Sequence, residues 1–184
     1  MDIIDIYPPF LYSIKFDDRE ENEFDRLFQL WNDVSFVTHF IDANREFLSS
    51  PFWQTRLEPE DAARQVLDEA EALEELFEDL YQNILSNEKP DFDSHFHYLD
   101  GKYKYVLEWQ PMKSYGTTRP SLLRIYAIKM GVNTYLITGG GIKLAETIQN
   151  SPDLKDHVIQ DIDRIRTFLK DNGIMDSDDM ENQN

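Results

Sequence analysis

The segment between Ser121 and Pro152 constrains the fold more than any other part of the chain. Two runs in which apolar residues alternate, 122–130 and 134–138, flank a short turn at 131–133. Alternation with a period of two, interrupted by a turn that contains Gly and Asn, is typical of an antiparallel β-hairpin. We therefore expect a hairpin at the centre of a sheet, with the remaining elements packed around it.

The residues after the hairpin predict a bend and then a helix. Three consecutive glycines at 139–141 favour a tight bend, and their spacing matches no phosphate-binding loop. The Ser151-Pro152 pair suits the start of a helix over 151–172, and Gly173 suits its end. We expect the acidic and polar residues 175–184 to form a disordered tail.

The first half of the chain is predicted to contain one strand and two helices. Residues 10–16 alternate and are rich in aromatic side chains, which indicates a strand. Apolar residues recur at three- and four-residue steps over 22–48 and again over 59–86, and Asn22 is a suitable N-cap. We therefore expect a long helical hairpin over 22–86.

The second of these helices carries a dense set of acidic side chains. They are Glu69, Glu71, Glu74, Glu75, Glu78 and Asp79. We predict that they occupy its exposed surface, because charge runs on helices are usually solvated. A docking surface for a basic partner is the alternative interpretation.

Residues 91–98 allow two interpretations. On a strand, four potential ligands would point to one face, and such a set holds a divalent metal when it converges. These residues are Asp91, Asp93, His95 and His97. The other interpretation is an exposed edge strand or an irregular loop, which we favour because strand spacing alone does not create tetrahedral geometry. We therefore assign no metal site and no cofactor.

Further strand and loop signals complete the predicted fold. We expect a strand over 102–110 and, because of its prolines and glycine, a loop over 111–120. Helices segregated from adjacent strands favour an α+β fold with an antiparallel meander sheet over 91–140. We expect one domain over 1–174, in which an N-terminal strand and the helical hairpin pack on this sheet, followed by a C-terminal helix.

The formal net charge of −18 is unevenly distributed along the chain. Residues 1–90 contain 7 Lys or Arg and 22 Asp or Glu, whereas residues 91–150 contain 7 and 5. The absence of Cys from the sequence excludes disulfides and thiolate zinc sites. The first residues lack a signal-peptide pattern, and no apolar run approaches the roughly 18 residues of a membrane span. We expect a soluble cytoplasmic protein that does not bind membranes.

The hairpin region resembles the RelE/ParE-like toxin superfamily, in particular its HigB-like and phage-derived toxin-like branches. The features that match occur in the family's order: a cation after a strand, Lys113; an arginine followed by an aromatic residue, Arg124-Ile125-Tyr126; a Gly-hydrophobe-Lys motif, Gly141-Ile142-Lys143; and the Ser151-Pro152 pair. The similarity covers roughly residues 105–172. Leu144 stands where the family has a second lysine.

The resemblance implies a toxin of a type II toxin–antitoxin system that cleaves mRNA on the ribosome without a metal. The catalytic residues it implies are Lys113, Arg119, Arg124, Tyr126 and Lys143, whose cations would stabilise the phosphate in the transition state. Tyr126 or Tyr115 would orient a base by stacking. The implied partners are an antitoxin protein and the ribosome with its mRNA. Because the acidic charge opposes nucleic-acid binding, the alternative is a catalytically inert module that binds a basic partner through its acidic helices.

Overall fold

The computed structural model describes residues 1–53, 57–100 and 108–181. Within them the strands are β1 (Asp2–Tyr7), β2 (Leu11–Lys15), β3 (His97–Tyr98), β4 (Gln110–Tyr115), β5 (Leu123–Gly131) and β6 (Thr134–Ile142). The α-helices are α1 (Glu23–Asn32), α2 (Val34–Ala43), α3 (Pro59–Leu85), α4 (Phe92–His95), α5 (Val158–Asp171) and α6 (Ser177–Glu181). None of these helices is both long and apolar enough to cross a membrane. The fold class is α+β, as expected.

The strands form one six-stranded sheet in the order β1-β2-β6-β5-β4-β3. The predicted hairpin β5–β6 is confirmed, and β3 to β6 form an antiparallel meander. The sheet is nevertheless mixed, because β2 pairs with β6 in parallel, with Leu11 opposite Tyr135. Parallel neighbours need a long crossover, and the helices between β2 and the meander supply it. Strand β1, which the sequence pattern did not predict, pairs antiparallel with β2 at the sheet edge.

The helix predicted over 22–48 is divided at Asp33 into α1 and α2. Asn22 caps α1 as expected, since its side chain accepts a hydrogen bond from the Asp25 N–H at 3.1 Å. The Asp33 carboxylate accepts the N–H groups of the second and third residues after it, at 2.8 and 3.1 Å. Such a cap starts a new helix although the apolar periodicity continues through it. The predicted hairpin is therefore a layer of three helices, of which α3 begins at Pro59 as predicted.

Both faces of β5 are buried, so this strand lies at the centre of the protein. Odd-numbered apolar side chains of β5 belong to the core formed with α1, α2 and α3, and even-numbered ones pack on the α5 side. The first group is Leu123, Ile125 and Ala127, and the second is Tyr126, Ile128 and Met130. This period of two follows from strand geometry, and it places even-numbered Arg124 on the α5 side of the sheet.

The three glycines lie inside β6 and do not form a bend after it. A Cβ on Gly140 would overlap the backbone carbonyl oxygen of Arg124 and lie 2.8 Å from Leu27 Cδ1. The glycine therefore allows β5 and α1 to approach the backbone of β6 closely. Gly139, at φ +149°, lies where the pairing with β5 shifts register beside Tyr126. The glycines thus serve close packing within a strand.

The C-terminal region differs from the prediction at the start of its helix and in its tail. Helix α5 begins at Val158, because Ser151 Oγ instead accepts the Leu144 N–H at 3.0 Å in the loop after β6. Gly173 follows α5 with φ +69°, the left-handed conformation expected for that position. The tail was predicted to be disordered, yet α6 forms within it and Met180 is buried.

Residues 91–98 do not form the extended strand that the metal interpretation requires. Asp91 caps the helical turn α4, where its side chain accepts the Ser94 N–H at 3.0 Å. Strand β4 occupies part of the loop predicted over 111–120. Its pairing with β5 begins at Gln110, opposite Lys129, and Pro111 follows as the second residue of the strand, opposite Ile128. Most of the strand predicted over 102–110 lies outside the described residues.

Candidate functional site

A pocket of about 320 Å³ lies on the α5 side of the sheet. It lies against β4, β5 and the segment that follows β6. It is lined by Leu99, Asp100, Lys113, Tyr115, Arg124, Tyr126, Lys143, Glu146, Thr147, Ile148, Gln149 and Ile159. Four of the five residues predicted for the site line this pocket: Lys113, Arg124, Tyr126 and Lys143. The structure therefore brings together residues from two strands and from the segment that follows a third.

The register of β4 and β5 explains why these side chains meet. Lys113 pairs with Tyr126, and Tyr115 pairs with Arg124. Residues two apart on a strand point to the same face, and paired residues on neighbouring strands lie side by side on that face. Two cations and two tyrosines therefore form one continuous patch on the sheet surface.

Strand β6 contributes glycines beside this patch. Gly139 pairs with Tyr126, and Gly141 pairs with Arg124. A glycine has no side chain to cover its neighbours on the sheet. The loop before α5 instead packs directly on β6 at Gly141, since a Cβ there would lie 2.7 Å from Leu154 Cδ2. The pocket is thus bounded by the sheet, this loop and α5.

The ring of Tyr115 gathers three cations. The Arg124 Cζ atom lies 4.4 Å from the ring centroid, the Arg119 Cζ atom 5.5 Å and the Lys113 Nζ atom 5.7 Å. Cations over an aromatic face are attracted by the ring quadrupole. The ring of Tyr115 therefore offsets part of the repulsion among these three positive side chains. Arg119, the fifth predicted residue, is exposed and does not line the pocket. Its guanidinium instead donates to the Gly116 carbonyl at 2.7 Å.

Arg124 is buried and its guanidinium is held by the chain around it. Its Nη1 donates to the Ser121 carbonyl at 3.0 Å, to Ser121 Oγ at 3.0 Å and to the Leu123 carbonyl at 2.6 Å. Burial lowers the pKa of Arg124, but an arginine starts so high that it stays charged at neutral pH. A buried, oriented guanidinium in a pocket is suited to binding an anion.

Lys143 has the most perturbed amine of the pocket. Burial lowers its pKa to about 8, and the positive charges of Arg124 and Lys113 act in the same direction, while Glu146 opposes them. Its Nζ donates to the Glu146 carbonyl at 2.7 Å. With this pKa about one lysine in ten is neutral at pH 7, so the amine can exchange a proton near neutral pH.

Tyr126 is 1 % exposed and forms the floor of the pocket. Burial raises its pKa, with Arg124 opposing. The phenol therefore keeps its proton at neutral pH and is available as a hydrogen-bond donor. Lys113, in contrast, is half-buried, and its Nζ donates to the Leu99 carbonyl at 2.9 Å.

The pocket combines a charged side with an apolar side. Three cations and two carboxylates, Asp100 and Glu146, give the lining a formal charge of +1, in contrast to the −18 of the whole chain. The apolar wall consists of Leu99, Ile148 and Ile159. A pocket with a few convergent polar groups and an apolar wall is the usual form of a ligand site.

The residues of the metal interpretation have other partners. Asp93 accepts hydrogen bonds from Lys129 Nζ at 2.7 Å and from the Tyr135 hydroxyl at 2.6 Å. His95 Nε2 lies 2.5 Å from Ser114 Oγ, and burial lowers the pKa of His95 to about 4. Among the described residues, no group of three or more His, Asp or Glu side chains is placed to hold a metal ion.

Sequence reasoning missed several residues near the pocket. Glu69 was predicted on the exposed acidic face of α3, but it is fully buried and contacts the segment that precedes Arg124. A signal was available, because Glu69 lies three residues after Val66 and four before Leu73, on the apolar stripe of α3. The pocket residues from Glu146 to Gln149 carried no comparable pattern.

Comparison of the chain with protein-family models, with curated proteins and with solved structures finds no match.

Proposed function

We propose that the protein is a RelE/ParE-like toxin, a metal-independent endoribonuclease that cleaves mRNA on the ribosome and binds the scissile phosphate in this pocket. The observation that carries the proposal is the convergence of Lys113, Arg124 and Lys143 around a protonated Tyr126. These are the residue types that stabilise a phosphorane and exchange protons with it.

In the proposed reaction, the ribose 2′-oxygen attacks the phosphorus atom and the 5′-oxygen leaves. The products are a 2′,3′-cyclic phosphate and a 5′-hydroxyl. Arg124 and Lys113 stabilise the negative charge that develops on the phosphoryl oxygens. Lys143, which is mostly charged at neutral pH because its pKa is about 8, donates a proton to the leaving 5′-oxygen, and the proton of the attacking 2′-hydroxyl passes to water. Tyr126 donates a hydrogen bond from the floor of the pocket.

The proposed setting is the cytoplasm, where an antitoxin protein and the ribosome are the partners. The charge distribution supports a substrate that is presented by the ribosome. An acidic surface does not attract a long RNA, since non-specific binding depends on neutralising many phosphates. A ribosome holds its mRNA in place, so the enzyme needs to engage the chain at one phosphate.

Growth and transcript cleavage during induced expression test the proposal. Wild-type protein is expected to arrest growth and to produce new 5′ ends in translated transcripts. Lys143→Gln and Lys113→Gln are expected to reduce cleavage by about 100-fold, as expected when a transition-state donor is removed. Lys170→Gln, at an exposed cation of α5 outside the pocket, is the matched control. Full cleavage by Lys143→Gln, or unaffected growth with wild-type protein, would contradict the proposal.

The second candidate function is an inert interaction module, and the exposed acidic face of α3 favours it. The exposed carboxylates are Glu71, Glu74, Glu75, Glu78 and Asp79. They suit a basic protein partner. Wild-type protein that leaves transcripts intact, but binds a basic partner which is lost on neutralising Glu74, Glu75 and Glu78, would support this function instead.

A further inference from the structure

We propose that Glu69 is a positioning residue that acts through Ser121 to fix the guanidinium of Arg124 in the pocket. The inference rests on the proposed function only where it assigns Arg124 to the phosphate. The geometry that links the three residues belongs to the fold. Glu69 lies on α3, a helix that contributes no side chain to the pocket lining.

Glu69 is fully buried, and most of its hydrogen bonds are with residues 121–123, where the chain enters β5. Its Oε2 accepts from Ser121 Oγ at 2.8 Å, from the Leu123 N–H at 3.0 Å and from the Leu122 N–H at 3.1 Å. Its Oε1 accepts from Gln65 Nε2 at 2.7 Å. A buried carboxylate is tolerated when hydrogen bonds replace its hydration. Three of these bonds fix the segment that leads into Arg124.

The Ser121 hydroxyl connects the carboxylate with the arginine. A hydroxyl has one proton, and the nearest acceptor of this one is Glu69 Oε2 at 2.8 Å. When the proton points to Glu69, a lone pair of Ser121 Oγ faces Arg124 Nη1 at 3.0 Å. The carboxylate thereby orients the serine, and the serine orients the guanidinium.

Gly116, the residue after β4, packs against Glu69 and Ser121. A Cβ on Gly116 would overlap Glu69 Oε2 and lie 2.7 Å from Ser121 Oγ. The Gly116 carbonyl also accepts a hydrogen bond from Arg119 Nη1 at 2.7 Å. Glu69 therefore lies where α3, the end of β4 and the start of β5 meet, which leaves its side chain little freedom to move.

Positioning and simple charge predict opposite effects on anion binding. The negative charge of Glu69 raises the pKa of Arg124 and opposes the effect of burial. If Glu69 acted only as a nearby negative charge, its removal would strengthen binding of an anion in the pocket. If it positions Arg124, Glu69→Gln weakens binding, because the amide NH₂ competes with the arginine for Ser121 Oγ.

The test measures the Arg124 guanidinium in the full-length protein by ¹⁵N NMR. Exchange of its protons with water is expected to become about tenfold faster in Glu69→Gln and Ser121→Ala, the effect of losing one charge-assisted hydrogen bond. Gln65→Ala is the matched control, since Gln65 bonds Glu69 and the Pro120 carbonyl but neither Ser121 nor Arg124. Sulfate titration is expected to give weaker binding in Glu69→Gln and Ser121→Ala and unchanged binding in the control.

Ser121→Ala separates positioning from a purely structural role, because it leaves the bonds of Glu69 to the backbone of β5 intact. Wild-type exchange at Arg124 in Ser121→Ala would overturn the proposal, as would tighter sulfate binding by Glu69→Gln. If Glu69→Gln does not fold, Ser121→Ala decides the question alone. Wild-type protein that binds no sulfate would count against the proposed function, while the Arg124 exchange rates would still decide this inference.

Discussion

The protonation of Lys143 gives a direct prediction for the pocket: its affinity for anions depends on pH with an inflection near 8. The pKa of Lys143 is lowered to about 8 by burial and by the charges of Arg124 and Lys113. The carboxylates that face the pocket are Asp100 and Glu146. Below pH 8 the amine is charged and binds an anion, and above pH 8 it is neutral. Affinity therefore falls as pH rises.

The size of the effect follows from the charged fraction and from the strength of one bond. With a pKa of about 8, the amine is about 90 % charged at pH 7 and about 10 % charged at pH 9. A hydrogen bond to a charged group contributes about 1.5–3 kcal/mol. Because most molecules lose the charge on Lys143 between pH 7 and pH 9, anion binding weakens by about five- to tenfold over this range.

Sulfate is the suitable probe because its own charge is constant over this range, and calorimetry measures its dissociation constant. Lys143→Arg keeps a charge at every pH and is expected to flatten the profile. Lys143→Gln is expected to bind more weakly at pH 7 than wild-type protein does at pH 9, where about 10 % of the amine is still charged, and to show no inflection near pH 8. An inflection that persists in Lys143→Arg, or a flat wild-type profile, would refute the assignment to Lys143.

Three further substitutions test the stability of the fold. Gly140→Ala is expected to lower the free energy of unfolding by about 1–3 kcal/mol, because its Cβ would overlap the Arg124 carbonyl oxygen. Gly173→Ala, whose Cβ meets nothing but whose φ is +69°, is expected to cost about 1 kcal/mol, and a wild-type urea midpoint in either variant would contradict the reasoning for that variant. Burial raises the pKa of Asp153. The folded state of the protein therefore loses stability as pH rises through the pKa of Asp153. Asp153→Asn, which can still accept the Ile142 N–H, is expected to be more stable than wild-type protein at pH 7 and equal to it below about pH 3.8.

The parts of the fold that local patterns specify were predictable. Alternation over 122–138 predicted the β5–β6 hairpin, and the apolar stripe after Pro59 predicted α3. The division into α1 and α2 at Asp33 was not predictable, because the apolar periodicity continues through Asp33 and only its capping hydrogen bonds mark the break. The parallel pairing of β2 with β6 was not predictable either. It joins residues more than 100 positions apart, such as Leu11 and Tyr135, and no local pattern encodes that choice.

Local sequence patterns likewise predicted only part of the candidate site. Residue types and the family resemblance selected Lys113, Arg124, Tyr126 and Lys143, but their convergence depends on register. A shift of one residue between β4 and β5 would turn Lys113 and Tyr115 to the opposite face of the sheet. Glu69 was assigned to solvent because its neighbours are acidic, although its place on the stripe of α3 indicated burial.

The contrast between pocket and surface charge bears on how the proposed enzyme meets its substrate. The lining has a formal charge of +1 within a chain of −18. Salt at physiological concentration screens charges beyond about 8 Å, so it weakens the repulsion between RNA and the acidic surface more than contacts inside a half-buried pocket. A protein of this kind gains little from electrostatic steering, unlike basic nucleic-acid-binding proteins. The proposed function is consistent with this charge pattern, because it assigns the ribosome the role of presenting the RNA.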